Sequence, residues 1–217
     1  MKKIETFEDL NLRANLLSGF YSDGKKEMTE LQKKLIMPII SSYPPVDVVS
    51  TSKIGTGKTV GFSLALLERI DLNHDLYSKG APQALVIVPT REMAISLSHI
   101  IASFAKFMSV KVFGIYGGQM RSAELALQEI QHVVVGTPVK LLDLIESNIL
   151  NVKYLKMLIV EEMSHVQNYG FQAHVEEIVK IAKKLNLQIC IFGCARNRDT
   201  KLFIQKHLRD PILLEDL

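Results

Sequence analysis

The sequence has few of the residues on which small metal-binding or disulfide-rich proteins depend. It contains two cysteines, Cys190 and Cys194, and its six histidines do not fall at ligand spacings. A Cys-x-x-x-Cys pair without neighbouring cysteine or histidine ligands is a poor metal site. We therefore interpret both cysteines as buried, reduced thiols near the end of a strand, as is typical of a reducing compartment.

Long apolar runs, internal repeats and low-complexity segments are also missing. No segment has the length of a membrane span, and the first residues, Met1–Thr6, lack the apolar core of a signal peptide. From the sequence we expect a soluble, intracellular protein of the cytoplasm or nucleus, without a membrane partner.

An excess of charge of one sign is missing as well. The net charge is +3, which is too small to indicate a nucleic-acid partner, so any such site must be a local patch. With 217 residues, 47% hydrophobic and 23% charged, the chain has the composition of one globular domain with a full core.

Apolar strand patterns alternate with helical patterns along the chain. Strands are predicted from Val46 and at 83–88, 111–116, 132–135, 157–160, 187–192 and 212–214. Helices are predicted at 29–40, from the Lys58 region to about 70, and at 91–107, 122–130, 139–147, 171–185 and 200–208. This alternation predicts an α/β fold with a mostly parallel sheet and helices on both faces.

A phosphate-binding loop is predicted between the first strand and the helix that follows it. The sequence runs from Val46 through Gly55-Thr56-Gly57-Lys58-Thr59 into a helical pattern. Glycines bring backbone N–H groups close to phosphates at a helix N-terminus, Lys58 would reach the β- and γ-phosphates, and Thr59 would bind Mg²⁺. The strict pattern has glycine where Ser52 stands, and an ordinary glycine-rich turn is the alternative. We expect Lys58 to be solvated without ligand.

Other polar motifs also follow predicted strands. Pro89-Thr90-Arg91-Glu92, Gly117-Gly118, Thr137-Pro138 and Glu161-Glu162 each come directly after a strand. In open parallel sheets, ligands bind beyond the carboxyl ends of the strands. Solvation of a strand end is the alternative for Glu161-Glu162, and a solvated ion pair is the alternative for Arg91-Glu92.

Taken in order, these motifs resemble those of the first RecA-like domain of a DEAD-box RNA helicase, a P-loop NTPase domain. The resemblance extends from Phe7, at the position of the family's upstream aromatic, to the end of the chain. Within this family, the sequence is similar to the translation-initiation-factor and mRNA-export types of helicase. It implies an N-terminal segment at 1–45 that forms one globular unit with the ATP-binding domain at 46–217.

The resemblance implies ATP and Mg²⁺ as cofactors. Gln32 would read the adenine edge, and a solvated helix glutamine is the alternative. Glu162 would orient and deprotonate the attacking water, and Lys58 would be the second catalytic residue. Thr59 and Glu161 would hold the metal. The residues implied to bind ATP are Gln32, Ser52, Lys53, Ile54, Gly55, Thr56, Gly57, Lys58 and Thr59.

The resemblance also implies sequence-nonspecific binding of the backbone of single-stranded RNA. The residues implied to contact RNA are Pro89, Thr90, Arg91, Gly117, Gly118, Thr137, Pro138 and Lys140. Because the family unwinds RNA with two RecA-like domains, a second such domain or a protein regulator in trans is an expected partner.

Several positions depart from the family pattern. Lys25 stands where an aromatic residue stacks on adenine, and Glu161 replaces the metal-binding aspartate. Ser164 and Ala195, together with Gly193, replace groups that couple nucleotide state to RNA binding. We therefore expect weakened hydrolysis, and two alternatives remain: a non-catalytic RNA- or protein-binding scaffold, and an unrelated P-loop NTPase or kinase.

Overall fold

The structure is a computed structural model that describes residues 4–24, 27–41, 44–51, 55–72, 81–117 and 126–214. The first residues of the predicted helix at 122–130 fall outside these ranges. The end of that helix is described, and it forms a short helical turn at 126–128.

Seven strands form one sheet in which every pairing is parallel, in the order β3-β4-β2-β5-β6-β1-β7. Their bounds are β1 Val48–Ser50, β2 Ala84–Ile87, β3 Val112–Ile115, β4 Val133–Gly136, β5 Met157–Val160, β6 Gln188–Phe192 and β7 Ile212–Leu214. The predicted parallel α/β sheet is confirmed, and the sheet is parallel throughout the described residues.

Helices lie on both faces of this sheet. They are α1 Ala14–Phe20, α2 Glu30–Ser41, α3 Lys58–Arg69, α4 Arg91–Phe104, α5 Pro138–Glu146, α6 Met163–Asn168, α7 Gln172–Lys184 and α8 Arg198–His207, with 3₁₀ turns at Phe7–Leu10 and Tyr21–Asp23. None of the helices in the described ranges is long and apolar enough to cross a membrane.

The sheet separates two hydrophobic clusters, because successive strand residues point to opposite faces. Val48 belongs to the cluster packed against α1 to α4, whereas its neighbour Val49 belongs to the cluster packed against α5 to α8. Both side chains are almost completely buried. Burial on both faces explains why the strands read as nearly continuous apolar runs.

The N-terminal segment contributes to the first of these clusters. Phe7 is 1% exposed, and its ring lies 4.7 Å from that of Phe20, which in turn contacts Phe104 of α4 at 5.2 Å in an edge-to-face arrangement. Leu35 of α2 is fully buried in the same cluster as Phe62 of α3. The first two helices therefore pack directly against the helix that begins at the phosphate loop.

Candidate nucleotide and RNA site

The sheet order divides the predicted motifs into two groups. The phosphate loop follows β1, Glu161 follows β5 and Gly193 follows β6, and these three strands are neighbours in the order β5-β6-β1. The motifs after β2, β3 and β4 lie on the other half of the same edge. The fold thus places the residues implied for nucleotide and for RNA side by side.

The phosphate loop has the backbone that its glycines were predicted to allow. Gly55 and Gly57 have φ angles of +87° and +89°, a left-handed conformation that side chains with a Cβ rarely adopt. Gly57 is also the N-terminal cap of α3. Three of the predicted ATP-binding residues, Ser52, Lys53 and Ile54, lie outside the described residues.

Gln32 links the N-terminal segment to this loop. Its side-chain Nε2 donates to the carbonyl oxygen of Gly57 at 3.0 Å, and a Cβ on Gly57 would lie only 2.5 Å from that nitrogen. Gln32 is 3% exposed, so it is not the solvated helix residue of the alternative interpretation. The amide keeps one N–H and one oxygen lone pair for a ligand.

Thr29 completes the same linkage, although the sequence interpretation did not single it out. Its backbone N–H donates to Gln32 Oε1 at 2.9 Å, the backbone N–H of Gln32 donates to Thr29 Oγ1 at 3.2 Å, and Thr29 Oγ1 donates to the Thr56 carbonyl at 2.9 Å. Thr29-Glu30-Leu31-Gln32 is a capping-box pattern, a signal that could have identified Thr29 beforehand.

Lys58 does not lie in solvent. It is 4% exposed in the absence of ligand, so the expectation that it is solvated was wrong. Its ammonium lies near the buried Glu161 carboxyl, whose pKa the positive charge of Lys58 lowers against the larger effect of burial. Lys58 therefore lies inside the site and not in solvent.

Glu161 and Thr59 meet although 102 residues separate them in the chain. Thr59 Oγ1 donates to Glu161 Oε1 at 3.1 Å, while Glu161 Oε2 is buried and has no hydrogen-bond partner within the described structure. Burial, followed by the charge of Glu162, raises the pKa of Glu161 to about 7. Burial and the neighbouring charge therefore favour the protonated form of the carboxyl group that the resemblance implies for the metal.

The donor set fits Mg²⁺ only in part. Thr59 and Glu161 supply oxygen atoms, which Mg²⁺ prefers, and the unpaired Oε2 is available to a cation. In the described ranges, no group of three or more His, Cys, Asp or Glu side chains is arranged to hold a metal ion. Most ligands of a Mg²⁺ here would be water and phosphate oxygens, as is usual for this ion.

Glu162, the predicted base, occupies an unusual backbone conformation. Its φ and ψ are 54° and 51°, it caps α6, and its Oε2 lies 3.5 Å from His165 Nδ1. Gly193 packs against it with φ +66°; a Cβ there would lie 2.8 Å from both Glu162 Cα and Oε2. Strained residues of this kind concentrate at functional sites, which supports a functional role for Glu162.

The altered coupling positions are joined through the main chain. The backbone N–H and the hydroxyl of Ser164 both donate to the Gly193 carbonyl, at 3.0 Å and 2.7 Å. The backbone N–H of Cys194 donates to the Ser50 carbonyl of β1 at 3.4 Å. The segments after β5, β6 and β1 are therefore connected without the side chains that the family resemblance led us to expect.

Both thiols are buried, as predicted. Cys190 and Cys194 are free and buried. Burial, followed by the charges of Glu161 and Glu162, raises the pKa of Cys194 to about 12, so its thiol is neutral at physiological pH.

The predicted RNA-facing residues differ in exposure. Arg91 is exposed, and its guanidinium lies 4.6 Å from the centre of the Tyr116 ring, a cation–π contact. Gly117, the next residue, is exposed with open space around its Cα. The aromatic residue preceding the glycines was not considered in the sequence interpretation, although its position there was a usable signal. Gly118 lies outside the described residues.

The other predicted RNA residues shape helix ends. Pro89 is buried, and Thr90 caps α4 by accepting a hydrogen bond from the Met93 N–H at 3.2 Å. Thr137 and Pro138 begin α5. Lys140 is 9% exposed and donates to Asp143 at 2.8 Å, so its ammonium is already engaged in an ion pair.

A glycine-rich loop that leads from a buried strand into Lys-Thr and a helix, on a parallel sheet with a carboxylate pair beside it, defines a RecA-like P-loop NTPase domain. The family model for the DEAD/DEAH box helicase matches residues 29–202, and the chain belongs to this family. The pattern of its motifs is that of a DEAD-box RNA helicase N-terminal domain.

Relatives and solved structures agree with this assignment. The chain is 32% identical over 209 residues to the ATP-dependent RNA helicase eIF4A of Phaeosphaeria nodorum, covering 96% of this chain and 50% of that relative. It is 30% identical to the same-named protein of Chaetomium globosum, with 96% and 51% covered. The chain thus spans about half the length of the curated relatives that it matches.

Two structures illustrate the shared fold. A DEAD box protein from Methanococcus jannaschii superposes with a TM-score of 0.87 at 28% identity, covering 99% of this chain and 56% of that one. The yeast DEAD-box splicing factor Prp28 gives a TM-score of 0.90 at 21% identity, with 99% and 51% covered.

Proposed function

We propose that this chain binds ATP with Mg²⁺ and the backbone of single-stranded RNA, as the first domain of a DEAD-box helicase, and that its hydrolysis is weakened. The observation that carries the proposal is the hydrogen bond between Thr59 and Glu161. It brings the end of the phosphate loop and the acidic motif together at the carboxyl edge of the sheet. That is where a nucleotide binds in this class of fold.

Nucleotide binding is supported by the arrangement around α3. The first backbone N–H groups of the helix and the positive end of its dipole favour a phosphate group at Gly57 and Lys58. Lys58, buried near the Glu161 carboxyl, would exchange that environment for phosphate oxygens. Gln32, held by Thr29 and Gly57, would present its remaining donor and acceptor to the adenine edge.

The reaction would rest on Glu162. Its carboxylate, positioned by the backbone of Gly193, would orient a water molecule and accept its proton, and Lys58 would stabilise charge on the phosphate. Mg²⁺, when bound, would neutralise the phosphate oxygens. Thr59 and Glu161 are the residues that would hold it.

Weakened hydrolysis is supported by the chemistry of Glu161. Its side chain is one methylene longer than the aspartate of the family, which moves the carboxylate by about 1.5 Å. Displacements of about 1 Å can reduce rates on the order of a hundredfold. Its raised pKa adds a second cost, because a proton must leave the carboxyl before a cation can bind there.

RNA binding is supported by the exposed residues after β2 and β3. Arg91 can pair with a phosphate, Tyr116 beneath it can stack, and Gly117 allows a sugar–phosphate backbone to approach the main chain. Lys140 would join them only after leaving Asp143. A second RecA-like domain, or a protein regulator in trans, would complete the RNA cleft.

A second candidate function is a non-catalytic RNA- or protein-binding scaffold. The small donor set favours it, since within the described ranges no group of three or more His, Cys, Asp or Glu side chains is arranged to hold a metal ion. The two candidates differ in whether nucleotide binds and whether Mg²⁺ strengthens the binding.

Titration with a fluorescent ATP analogue, with and without Mg²⁺, tests the proposal. Lys58→Ala should weaken binding by about 1.5–3 kcal/mol, the value of a charge-assisted hydrogen bond. Lys184→Ala, at an exposed position of α7, serves as the matched control and should bind as wild type does. Absence of binding by the wild-type chain, or equal binding by Lys58→Ala, would identify the scaffold function.

A further inference from the structure

A groove beside the edge strand β7 contains none of the side chains proposed to bind nucleotide or RNA, although Thr51 and Ala195, which lie next to that site, line part of it. It lies between the carboxyl ends of β1 and β7 and the first turns of α8, and it has a volume of about 210 Å³. Its floor and rim are apolar, with Val49, Ile204 and Leu213 among the lining residues. Its other end is polar and is formed by Arg196, Thr200 and Lys201.

The strand beside this groove has an open main-chain edge. β7 is the last strand in the sheet order, and within the described ranges it pairs only with β1. The Ile212 N–H and the Leu214 carbonyl point towards β1, because they bond Asp47 and Thr51. Since residues alternate along a parallel ladder, the N–H and C=O of Leu213 point outward. The Leu213 side chain is 59% exposed.

The polar end of the groove has an unsatisfied hydrogen-bonding group. Thr200 is 4% exposed, and its Oγ1 is buried without a hydrogen-bond partner in the described part of the chain. A buried hydroxyl without a partner costs free energy, and a ligand that reaches it recovers that cost. Thr200 lies in the first turn of α8, a ten-residue helix whose N-terminus favours negative charge.

The charged side chains among the described residues of the groove are all basic. Arg196 and Lys201 line it, and none of the described residues that line it is an aspartate or a glutamate. Arg196 Nε donates to Thr51 Oγ1 at 3.2 Å, which holds this side chain across the end of β1. The groove therefore complements a ligand that carries both carboxylates and apolar side chains.

We propose that this groove binds an extended segment of a partner protein whose groove-facing side chains, at every second residue, are apolar and acidic in turn. The segment would add to β7 through the N–H and C=O of Leu213, the mode of strand addition. Every second side chain would then face the groove, so an apolar one would enter the floor beside Val49 and Ile204, and the next one facing the same way would be acidic. Carboxylates would meet Lys201, Arg196 and the Thr200 hydroxyl. A free phosphate would leave the apolar floor unused.

The probe is a fluorescein-labelled nine-residue peptide with serine at every second position and, at the positions between, leucine and an acidic residue (aspartate or glutamate) in turn, titrated with the 217-residue chain by fluorescence anisotropy. Matched peptides carry asparagine and glutamine, or lysine, at the acidic positions, and a nine-nucleotide oligouridylate tests RNA. We expect saturable binding of the acidic peptide but not of the neutral or basic peptide, and Lys201→Glu should leave any binding of oligouridylate unchanged. Lys201→Glu should weaken it at least about tenfold, while Lys184→Glu on α7 should leave it unchanged.

Two further variants test the main-chain and hydroxyl contacts. Leu213→Pro removes the outward N–H at an edge strand, where proline is tolerated, and Thr200→Val removes the hydroxyl at constant shape. Both should weaken the acidic peptide. Amide chemical shifts on titration should move at Leu213 and Thr200.

The proposal is overturned by any of four results. These are no binding of the acidic peptide, equal binding of the neutral peptide, equal loss in Lys184→Glu, or binding of oligouridylate that Lys201→Glu removes. Self-association of the chain that competes with the peptide would also overturn the proposal, because the occupant of the groove would then be a second copy of the chain. None of these readouts requires nucleotide, so they are independent of the function proposed above.

Discussion

The hydroxyl of Ser164 donates a hydrogen bond of 2.7 Å to the carbonyl oxygen of Gly193. Ser164 lies in the segment that follows β5, and Gly193 directly follows β6. The backbone N–H of Ser164 donates to the same carbonyl. Because Gly193 also packs against Glu162, this bond fixes the proposed base relative to the neighbouring strand. Two residues that replace the family's coupling groups thus form a contact of their own.

Ser164→Ala should reduce the free energy of unfolding by about 0.5–1.5 kcal/mol, since it removes one hydrogen bond. Ser164→Asp should reduce it further at neutral pH, because a carboxylate would face the Gly193 carbonyl, which is also an acceptor. Urea unfolding measures both. Ser18→Ala, which removes an exposed helix hydroxyl bond, is the control. A Ser164→Asp variant as stable as wild type would show that the two segments can rearrange.

Gly193→Ala should destabilise the chain more than Gly170→Ala. Both glycines have left-handed φ angles, +66° and +77°, so both variants incur about 1–2 kcal/mol of backbone strain. Only at Gly193 would the new Cβ meet Glu162, at 2.8 Å, which adds about 1–3 kcal/mol of overpacking; at Gly170 no atom lies within 4 Å. Equal losses in urea unfolding would contradict the packing of Gly193 against Glu162.

Glu161→Asp should raise Mg²⁺-dependent phosphate release, because the shorter side chain leaves room for a cation beside Thr59. The gain should not exceed about a hundredfold, the cost assigned to the displaced carboxylate. The assay needs a related second RecA-like domain in trans, with and without single-stranded RNA. Glu162→Gln, which removes the base, should abolish release in either background. No gain in a variant that still binds nucleotide would exclude Glu161 as the limiting residue.

The free energy of unfolding should decrease as the pH rises from 4.5 to 7, because of the titration of Glu161. Its pKa rises from 4.5 to about 7 in the folded chain, chiefly by burial, so the folded chain binds the proton more tightly than the unfolded chain. Its contribution is complete below pH 4.5 and is lost as the pH rises through 7. Glu161→Gln should flatten this part of the stability profile in urea unfolding. Glu146→Gln, on the exposed side of α5, should leave the profile unchanged.

The sheet could be predicted from the sequence because its strands are apolar on both faces. β5 and β7 have the predicted bounds, Met157–Val160 and Ile212–Leu214. The helix α6 was missed, because no helix was predicted between residues 161 and 171, although Met163 and Val166 have helical spacing and are buried. Helix α4 ends at Phe104, three residues before its predicted end.

The candidate site could be predicted in its residue types and only partly in its contacts. Lys58, Thr59 and Glu161 lie together as the motifs indicated. The burial of Lys58 could not be predicted, since it depends on how α3 packs around the acidic pair. The bond from Ser164 to Gly193 could not be predicted either, because its acceptor is a main-chain carbonyl, which every residue carries.

The pairing of β1 sets an order for the synthesis and folding of the chain. Val48 pairs with Cys190 in β6 and with Ile212 in β7, and the Asp47 carboxylate accepts from the Ile189 N–H, 142 residues away, and from the Arg209 N–H. A ribosome making this chain must therefore release nearly all of it before the strand ahead of the phosphate loop has either neighbour. Until then, a nascent chain that already contains every residue proposed to bind nucleotide lacks the strand pairing that would hold the loop in place.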